Sequence, residues 1–581
     1  MTHNFRVLLR EASSGEWLHF SQPHRIFCAA RLDEVLPALR EIERLVQENH
    51  WHAAGFLSYE AAPAFDPALA VRPAGGFPLL WFGLYPEPYR TKTLPPGDGD
   101  YQLGEWKPSV SRETYTAAIA QVKACIADGR TYQVNYTFRL RNKLTGSPWS
   151  LFLDMVRAQD AGYSAFIETD RHVIASASPE LFFRLDGTTV TCRPMKGTVK
   201  RGRTLAEDNA QAAWLKASIK NRAENVMIVD MIRNDLGRLA KPGSVRVPEL
   251  FITERYRTLW QMTTAVTAEI DAPFTELLTA LFPCASITGA PKVSTMKIIA
   301  ALETTPRGLY TGTIGYLAPG RRAQFSVAIR TLVLERTSGQ AEYGIGGGIV
   351  WDSTSKDEYA EALLKARVLT ERHPEFSLLE TLRWTPGEGF FLLDEHLTRL
   401  ADSAAYFNFP FDRARTETQL TEVAKTLAEA PQRIRLLLDR EGNLMHQVFP
   451  LAETSTRPLR VRLAQEPVST NDIFLYHKTT RREVYEAARQ RQPDCDEVLL
   501  YNERGELTEG TIANLIVELD DELVTPPVTC GLLGGTLRAA LLKQGQIREK
   551  VLTRADLMRC TQLFLVNSVR GWQPARLDEG A

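Results

Sequence analysis

Lys196 lies in a short basic run, TCRPMKGTVKRG, just ahead of a Gly-Thr pair and close to Arg193, Lys200, Arg201 and Arg203. An amine crowded by other cations gives up its proton more readily, and a neutral amine is a nucleophile. A solvated basic loop is the competing reading of such a run. In ELFFRLDGTTVTCRPM, the Asp186-Gly187 pair is of the kind that closes a hairpin. Closing the chain there brings Glu180 and Lys196 to the same open end on opposite strands, an acid and an amine at one mouth.

Further carboxylates follow. Glu224 sits in NRAENVMIVDMIRNDLGR beside an apolar stripe of Met227, Ile228 and Met231, where a carboxylate is costly unless a cation or metal accompanies it. Glu358 and Glu361 in KDEYAEALLKAR share one helical face, and Lys365 follows one turn after Glu361. Mg²⁺ takes one or two carboxylates, keeps waters and leaves positions for an anionic ligand. Two solvated helices with lysine partners are the alternative. Thr288-Gly289-Ala290-Pro291 leads into a helix whose first amides favour an anion. Gly346, Gly347 and Gly348 let backbone approach a ligand, and Arg330 offers a fork for a carboxylate. The set points to a small polycarboxylate substrate.

SPELFFRLDGTTVTCRPMKGT, RAENVMIVDMIRNDLGR, PCASITGAPK, SVAIRTL and GGGIVWDS…EYAEALLKA, in this order over residues 110–370, resemble the chorismate-utilising enzymes. Lysine before Gly-Thr resembles the aminodeoxychorismate synthase component I branch, where anthranilate synthases have alanine. The resemblance implies that Lys196 attacks the chorismate ring at C2, with Glu180 as acid for the departing 4-hydroxyl. Ammonia at C4 then displaces the lysine. It also implies Glu224 and Glu361 as Mg²⁺ ligands and Glu358 as a water-mediated one. Arg330, Tyr310 and the Gly346–Gly348 backbone would surround the enolpyruvyl carboxylate, with Thr288 and Lys365 lining the pocket. One departure is Gln261 in TLWQMTT, where the family commonly has a histidine tied to pyruvate loss. Glutamine fits a product that keeps its side chain.

A second lysine has different company. Lys478 in YHKTTRREVYEAARQ is placed at a strand-to-helix transition, Glu509 lies in GELTEGTIANLIVE, and Thr536 opens a helix after the glycines of CGLLGGTLRAALL. Arg399 lies on a helix in DEHLTRLADSA. A phosphate wants a helix start and an arginine. Pyridoxal 5'-phosphate also wants a Schiff-base lysine and an acid for its ring nitrogen. As a set, over about residues 376–575, these resemble the fold-type IV pyridoxal-phosphate enzymes: branched-chain and D-amino acid aminotransferases and aminodeoxychorismate lyases. The resemblance implies Lys478 as the cofactor lysine, Glu509 at the pyridine nitrogen, and Arg399 with Thr536 on the phosphate. Beside an aminodeoxychorismate maker, the lyase is the simplest member, releasing pyruvate and 4-aminobenzoate, the folate precursor.

These groups need positioning elements. Before His373-Pro374, alternating runs such as HVIASASPELFFRLDGTTVTCRPM and AQFSVAIRTLVLER are interspersed with helical stretches. They read as α+β, a large, mostly antiparallel sheet sandwich with helices. After it comes a smaller α/β-type, two-subdomain fold. With the resemblances, residues 1–110 are expected to form the N-terminal part of the synthase unit, 111–373 the chorismate-binding domain and 376–581 the pyridoxal-phosphate domain.

With net charge −1 over 581 residues, no basic field argues for nucleic acid. Seven cysteines without a CxxC pair favour reduced thiols over disulfides or zinc. The N-terminus lacks a signal-like apolar core and no run could span a bilayer, so a cytoplasmic protein is expected, with no membrane partner. No glutamine amidotransferase motif is found. A separate glutaminase subunit is therefore expected to supply ammonia, and a homodimer through the pyridoxal-phosphate domain is the default. The alternatives are an anthranilate- or salicylate-type synthase, a synthase joined to a true aminotransferase, and a silent chain that holds a glutaminase or senses chorismate.

Overall fold

The structure, a computed structural model, describes residues 6–159, 161–370, 375–452 and 457–578. Contacts divide the chain into two units: Met1–Lys200 with Ala212–His373, and Arg201–Gln211 with Pro374–Ala581. The expected seam at His373-Pro374 itself lies outside the described residues.

Among the described residues the first unit holds two large sheets of eleven and ten strands. One runs from Gln133–Gly146 through Gln340–Ile349, Thr331–Glu335, His172–Ser178 and Tyr163–Glu168 to Val7–Arg10. The other runs from Met195–Lys200 through Leu259–Glu269, Thr189–Arg193, Leu181–Asp186, Arg322–Val327 and Thr313–Ala318 to His52–Leu57. Val7, Leu9, Phe20 and Ile174 of the first sheet meet Phe56, Trp81 and Ile314 of the second in one buried cluster. Helices cover the outer faces: Leu32–Asn49 and Ile219–Gly237 on one side, Arg112–Ala127 and Pro148–Gln159 on the other. A strand such as His52–Leu57 is therefore buried on both faces, which is why HAAGFL carries no polar phase. Residues near the N-terminus are woven into both sheets, Val7–Arg10 beside Tyr163–Glu168 and His52–Leu57 beside Thr313–Ala318.

The Asp186-Gly187 turn does close a hairpin between Leu181–Asp186 and Thr189–Arg193. Lys196 is not on that hairpin's second strand, however. Pro194 has no N–H to give the ladder, and the chain resumes as Met195–Lys200, paired with Leu259–Glu269.

The second unit has a four-stranded antiparallel sheet centred on Leu378–Thr385 and Gln432–Leu438, and an eight-stranded sheet. In the latter, Leu459–Leu463 pairs in parallel with both Glu497–Tyr501 and Gly571–Leu577. The unit also takes in Arg201–Gln211, which follows the Lys196 strand in the chain. Arg201 donates to both oxygens of the fully buried Asp208 at 2.6 and 2.7 Å and to the Tyr406 carbonyl at 2.9 Å. The Tyr406 hydroxyl donates to the Gly202 carbonyl at 2.7 Å, and Arg203 reaches the Tyr476 hydroxyl at 3.0 Å. His477 Nε2 donates to the Arg203 carbonyl at 3.1 Å, so its Nδ1 accepts from Ser403. Burial pushes His477 down to about 4, which keeps this neutral arrangement. Removing one member of a buried ion pair strands the other. Asp208→Ala is therefore expected to cost about 3–5 kcal/mol, read by calorimetry as a lower unfolding midpoint for this unit.

No helix among the described residues is long and apolar enough to cross a membrane.

Candidate active sites

In the first unit Glu180 stands between two strands, His172–Ser178 and Leu181–Asp186, and is 2% exposed. Ser286 Oγ donates to its Oε1 at 2.6 Å. Burial pushes the Glu180 carboxyl up to about 7, against the pull of Ser286 and Lys196. Lys196 is held below the ordinary lysine value by burial, while Glu180 and Glu224 draw it the other way. The basic crowding expected from the sequence is not the cause. Arg193 pairs with Glu254 at 2.9 Å, and Arg201 and Arg203 belong to the second unit. An acid with its titration pushed toward neutrality thus lies near an amine that holds its proton less tightly than an ordinary lysine, an arrangement suited to acid-assisted nucleophilic attack.

The glycines divide by purpose. A Cβ on Gly348 would sit 2.4 Å from Gln133 Nε2 and 3.1 Å from Lys196 Nζ, so glycine leaves both groups their place. On Gly347 it would approach Glu358 Oε2 at 3.1 Å. Gly346 instead serves strand packing, its Cβ position being 2.3 Å from the Tyr136 carbonyl. Gly344, overlooked in the sequence, makes room for Tyr310, whose ring a Cβ would meet at 2.1 Å. Arg139 covers that ring at 4.9 Å. Gln133 was also overlooked. It is 1% exposed, and neither its Oε1 nor its Nε2 finds a partner. A buried carboxamide left unpaired beside an amine is a group waiting for a ligand.

Arg330 has a left-handed backbone, φ 50°, and donates to Gln159 Oε1. Thr288 is fully buried and donates to the Cys284 and Ala285 carbonyls at 3.2 Å, so its hydroxyl braces its own turn. Pro291 is the N-terminal cap of the helix Lys292–Leu302.

Glu224 on Ile219–Gly237 and Glu358 and Glu361 on Ser355–Leu364 form the acidic part. Burial raises Glu224 and Glu358, and Glu361 raises both further. Lys365 holds Glu361 low through a 3.0 Å ion pair and donates to the Gly346 carbonyl at 2.9 Å. Ser353 donates to Glu358 at 2.6 Å. Among the described residues no three acid, histidine or cysteine groups already converge as a metal cage. The mutual repulsion of these carboxylates is what one Mg²⁺ with one or two carboxylate ligands would relieve, so the residues fit the ion.

In the second unit Lys478 follows the 3₁₀ turn Ile473–Leu475 rather than a strand, and its carbonyl accepts from Leu379 N–H at 2.9 Å. Burial, then Arg399, push its amine down to about 8. Glu509, in the strand Leu507–Gly510, is driven up to about 7 by burial although Tyr485, Leu533 N–H and Asn514 all donate to it. Arg399 on Leu393–Phe407 donates to both oxygens of Glu380 at 2.9 and 2.7 Å and to the Gly534 carbonyl at 3.2 Å. Burial opposes the charge of Glu380, yet Arg399 and His396 outweigh it and hold the carboxyl at about 2. His396 Nε2 lies 2.9 Å from Ser568 Oγ and 3.3 Å from Thr536 Oγ1. Thr536 is the first residue of the helix Thr536–Lys543, capped by Gly535. An arginine, two hydroxyls and glycine amides at a helix start are the donor set a phosphate takes. The residues fit pyridoxal 5'-phosphate. Glu380 and Ser568 were not anticipated.

The family model described as chorismate binding enzyme matches residues 6–371, and the one described as amino-transferase class IV matches residues 377–577. Aminodeoxychorismate synthase component 1 of Escherichia coli (strain K12) is 41% identical over 276 residues, 47% of this chain and 60% of that protein. The protein of that name from Bacillus subtilis (strain 168) is 39% identical over 280 residues, 48% of this chain and 59% of its own length. The chain thus spans about three fifths of the length of these two relatives. Anthranilate synthase component I from Streptococcus pneumoniae TIGR4 shares the fold, with a TM-score of 0.52 at 23% identity over 64% of this chain and 93% of that one. The chain belongs to the chorismate binding enzyme family, continued in the same polypeptide by a unit of the class IV amino-transferase type.

Proposed function

We propose that the chain makes 4-aminobenzoate from chorismate in two steps, amination to 4-amino-4-deoxychorismate in the first unit and loss of pyruvate in the second. The observation that carries the reading is the nearness of Lys196 to the buried Glu180, whose carboxyl burial pushes up to about 7. The Lys196 amine in its neutral form bonds to ring C2, both ring double bonds move one position along the ring toward C4, and the C4–O bond breaks. Glu180 protonates the departing hydroxide to water, and the amine sheds a proton. Ammonia then bonds to C4 as both double bonds return, the C2–N bond breaks, and a proton from the ammonia nitrogen passes to the departing amine, restoring Lys196. Arg330, Tyr310 and the Gly347–Gly348 backbone orient the substrate, and the Gln133 carboxamide faces the amine. Glu224 and Glu361, with Glu358 behind a water, would hold a Mg²⁺ that neutralises substrate carboxylate.

Arg399, Thr536 and Ser568 would hold the phosphate of pyridoxal 5'-phosphate, and Glu509 its ring nitrogen. When bound, the cofactor supplies an electron sink next to the substrate amine. Lys478 moves the proton at the amine-bearing ring carbon. The enolpyruvyl oxygen leaves the ring, ends as pyruvate after protonation, and the ring becomes aromatic. A separate glutamine amidotransferase subunit supplies the ammonia, the chain works in the cytoplasm, and pairs form through the second unit.

Incubation with chorismate, ammonium, Mg²⁺ and pyridoxal 5'-phosphate should yield 4-aminobenzoate and pyruvate, identified by chromatography with mass detection. The isomeric, strongly fluorescent anthranilate would overturn the first step; 4-amino-4-deoxychorismate accumulating alone would overturn the second. Glutamine in place of ammonium should give no product with this chain alone.

The acid role has its own pH signature. Glu180 is protonated below about 7 and loses its proton as pH rises through that value. Attack on chorismate in single-turnover experiments without ammonia should therefore slow above that pH. Glu180→Gln should remove this limb together with about a hundredfold or more of the rate.

A further inference from the structure

We propose that Gln261 is a positioning residue for Lys196, its carboxamide replacing the strand partner that the backbone around Lys196 lacks. The inference rests on the reading of Lys196 as nucleophile. Along the pairing of Met195–Lys200 with Leu259–Glu269, Met195 faces Thr263, but the next register pair is Thr198 with Gln261. Three steps on one strand meet two on the other, so Lys196 and Gly197 form a bulge. Gly197 sits at φ 93°, and a Cβ there would press on Asn221 at 3.0 Å, so the turn is built for glycine.

A bulge leaves a carbonyl outside the ladder, and an enclosed carbonyl must find a donor. Gln261 Nε2 donates to the Gly197 carbonyl at 3.0 Å. Its Oε1 accepts from Thr198 Oγ1 at 3.1 Å. Gln261 is 9% exposed, so water competes little for either bond. Both ends of one carboxamide thus grip the two residues that follow the nucleophile. Alanine there offers nothing, and an imidazole cannot present donor and acceptor side by side on one edge. What the grip protects is register. A one-residue slip of Met195–Lys200 would send the 196 side chain to the opposite face of the sheet, away from Glu180 and Gln133.

The test uses the full-length protein with Gln261→Ala, Gln261→Glu and Thr198→Val, each alone and combined with Lys196→Ala. The first readout is intact-protein mass after mixing with chorismate without ammonia, where the adduct appears as substrate less one water. The second is kcat and KM with ammonia. Gln261→Ala and Gln261→Glu should slow adduct formation and kcat by about 10- to 100-fold, since small misplacement of a reacting group is costly. KM for chorismate should stay within about twofold, because the substrate contacts lie elsewhere. Thr198→Val should lose less and should not add to Gln261→Ala. In the Lys196→Ala background the Gln261 variants should change nothing further.

Full-rate adduct formation in both Gln261 variants would overturn the proposal. So would an equal fold-loss with and without Lys196, the mark of a merely structural residue. Gln261→Glu is isosteric and keeps the comparison if the alanine variant does not fold. A wild-type chain giving neither adduct nor product would bring down the reading of Lys196 itself, and this proposal with it, before any Gln261 variant is measured.

Discussion

Lys196→Ala is expected to abolish the chorismate adduct and to lower ammonia-dependent formation of 4-amino-4-deoxychorismate by at least about a thousandfold. The size follows from what is lost, since the amine alone splits one hard substitution into two easier ones. What remains is slow, direct attack of ammonia on a ring still held opposite Glu180. Lys196→Arg should not rescue the reaction, because a guanidinium keeps its proton at any working pH. The variant also carries a second signature. Lys196 pulls the Glu180 carboxyl downward, so its removal should raise Glu180 further and move the falling limb of the residual pH profile above the wild-type position near 7. Unchanged amination in Lys196→Ala would end the nucleophile assignment, whatever the adduct measurement gives.

Lys478→Ala should separate the two halves of the pathway. Supplied with purified 4-amino-4-deoxychorismate, the variant should form 4-aminobenzoate at least about a thousandfold more slowly, since the proton at the amine-bearing carbon has lost its carrier. Supplied with chorismate and ammonium, it should release the aminated intermediate and stop there. Borohydride reduction in the presence of pyridoxal 5'-phosphate should label the wild-type chain at position 478 and leave the variant unlabelled. The amine is suited to this bond because burial, then Arg399, lower it to about 8, so a useful fraction is unprotonated near neutrality. Release of 4-aminobenzoate by Lys478→Ala at the wild-type rate would refute the lyase assignment and leave the first unit's chemistry standing.

Features carried by local pattern were readable in the sequence. The Asp186-Gly187 turn, the shared face of Glu358 and Glu361, and the glycine start of the Thr536 helix all follow from spacing within a few residues. The overlooked groups depend on distant partners, yet each left a trace of phase. Glu380 alternates with the buried Leu378 and Leu382, so a carboxylate stands in the inward phase of its strand. Gln133 shares a phase with Asn135, Thr137 and Arg139, a polar stripe within a strand buried on both faces. Such residues must be paired or functional, and only the fold reveals which. Asn135, Thr137 and Arg139 hydrogen-bond to residues distant in the chain, whereas both amide atoms of Gln133 are orphaned. The cause of the lowered Lys196 basicity was misread for a related reason. Sequence proximity put four cations around it, but Pro194 and the departure of Arg201–Gln211 to the other unit take the chain elsewhere.

The eleven residues Arg201–Gln211 have an outcome for anyone who handles the gene in pieces. A fragment beginning at Pro374 would be missing part of its own fabric, because the stretch that seats on Tyr406, Tyr476 and His477 is encoded far upstream, inside the coding region of its neighbour. Chimeras that exchange the C-terminal portion would import a socket without its plug. The two units are therefore stitched together by thread as well as by order, and shuffling one without re-tailoring the other should yield poorly folding protein.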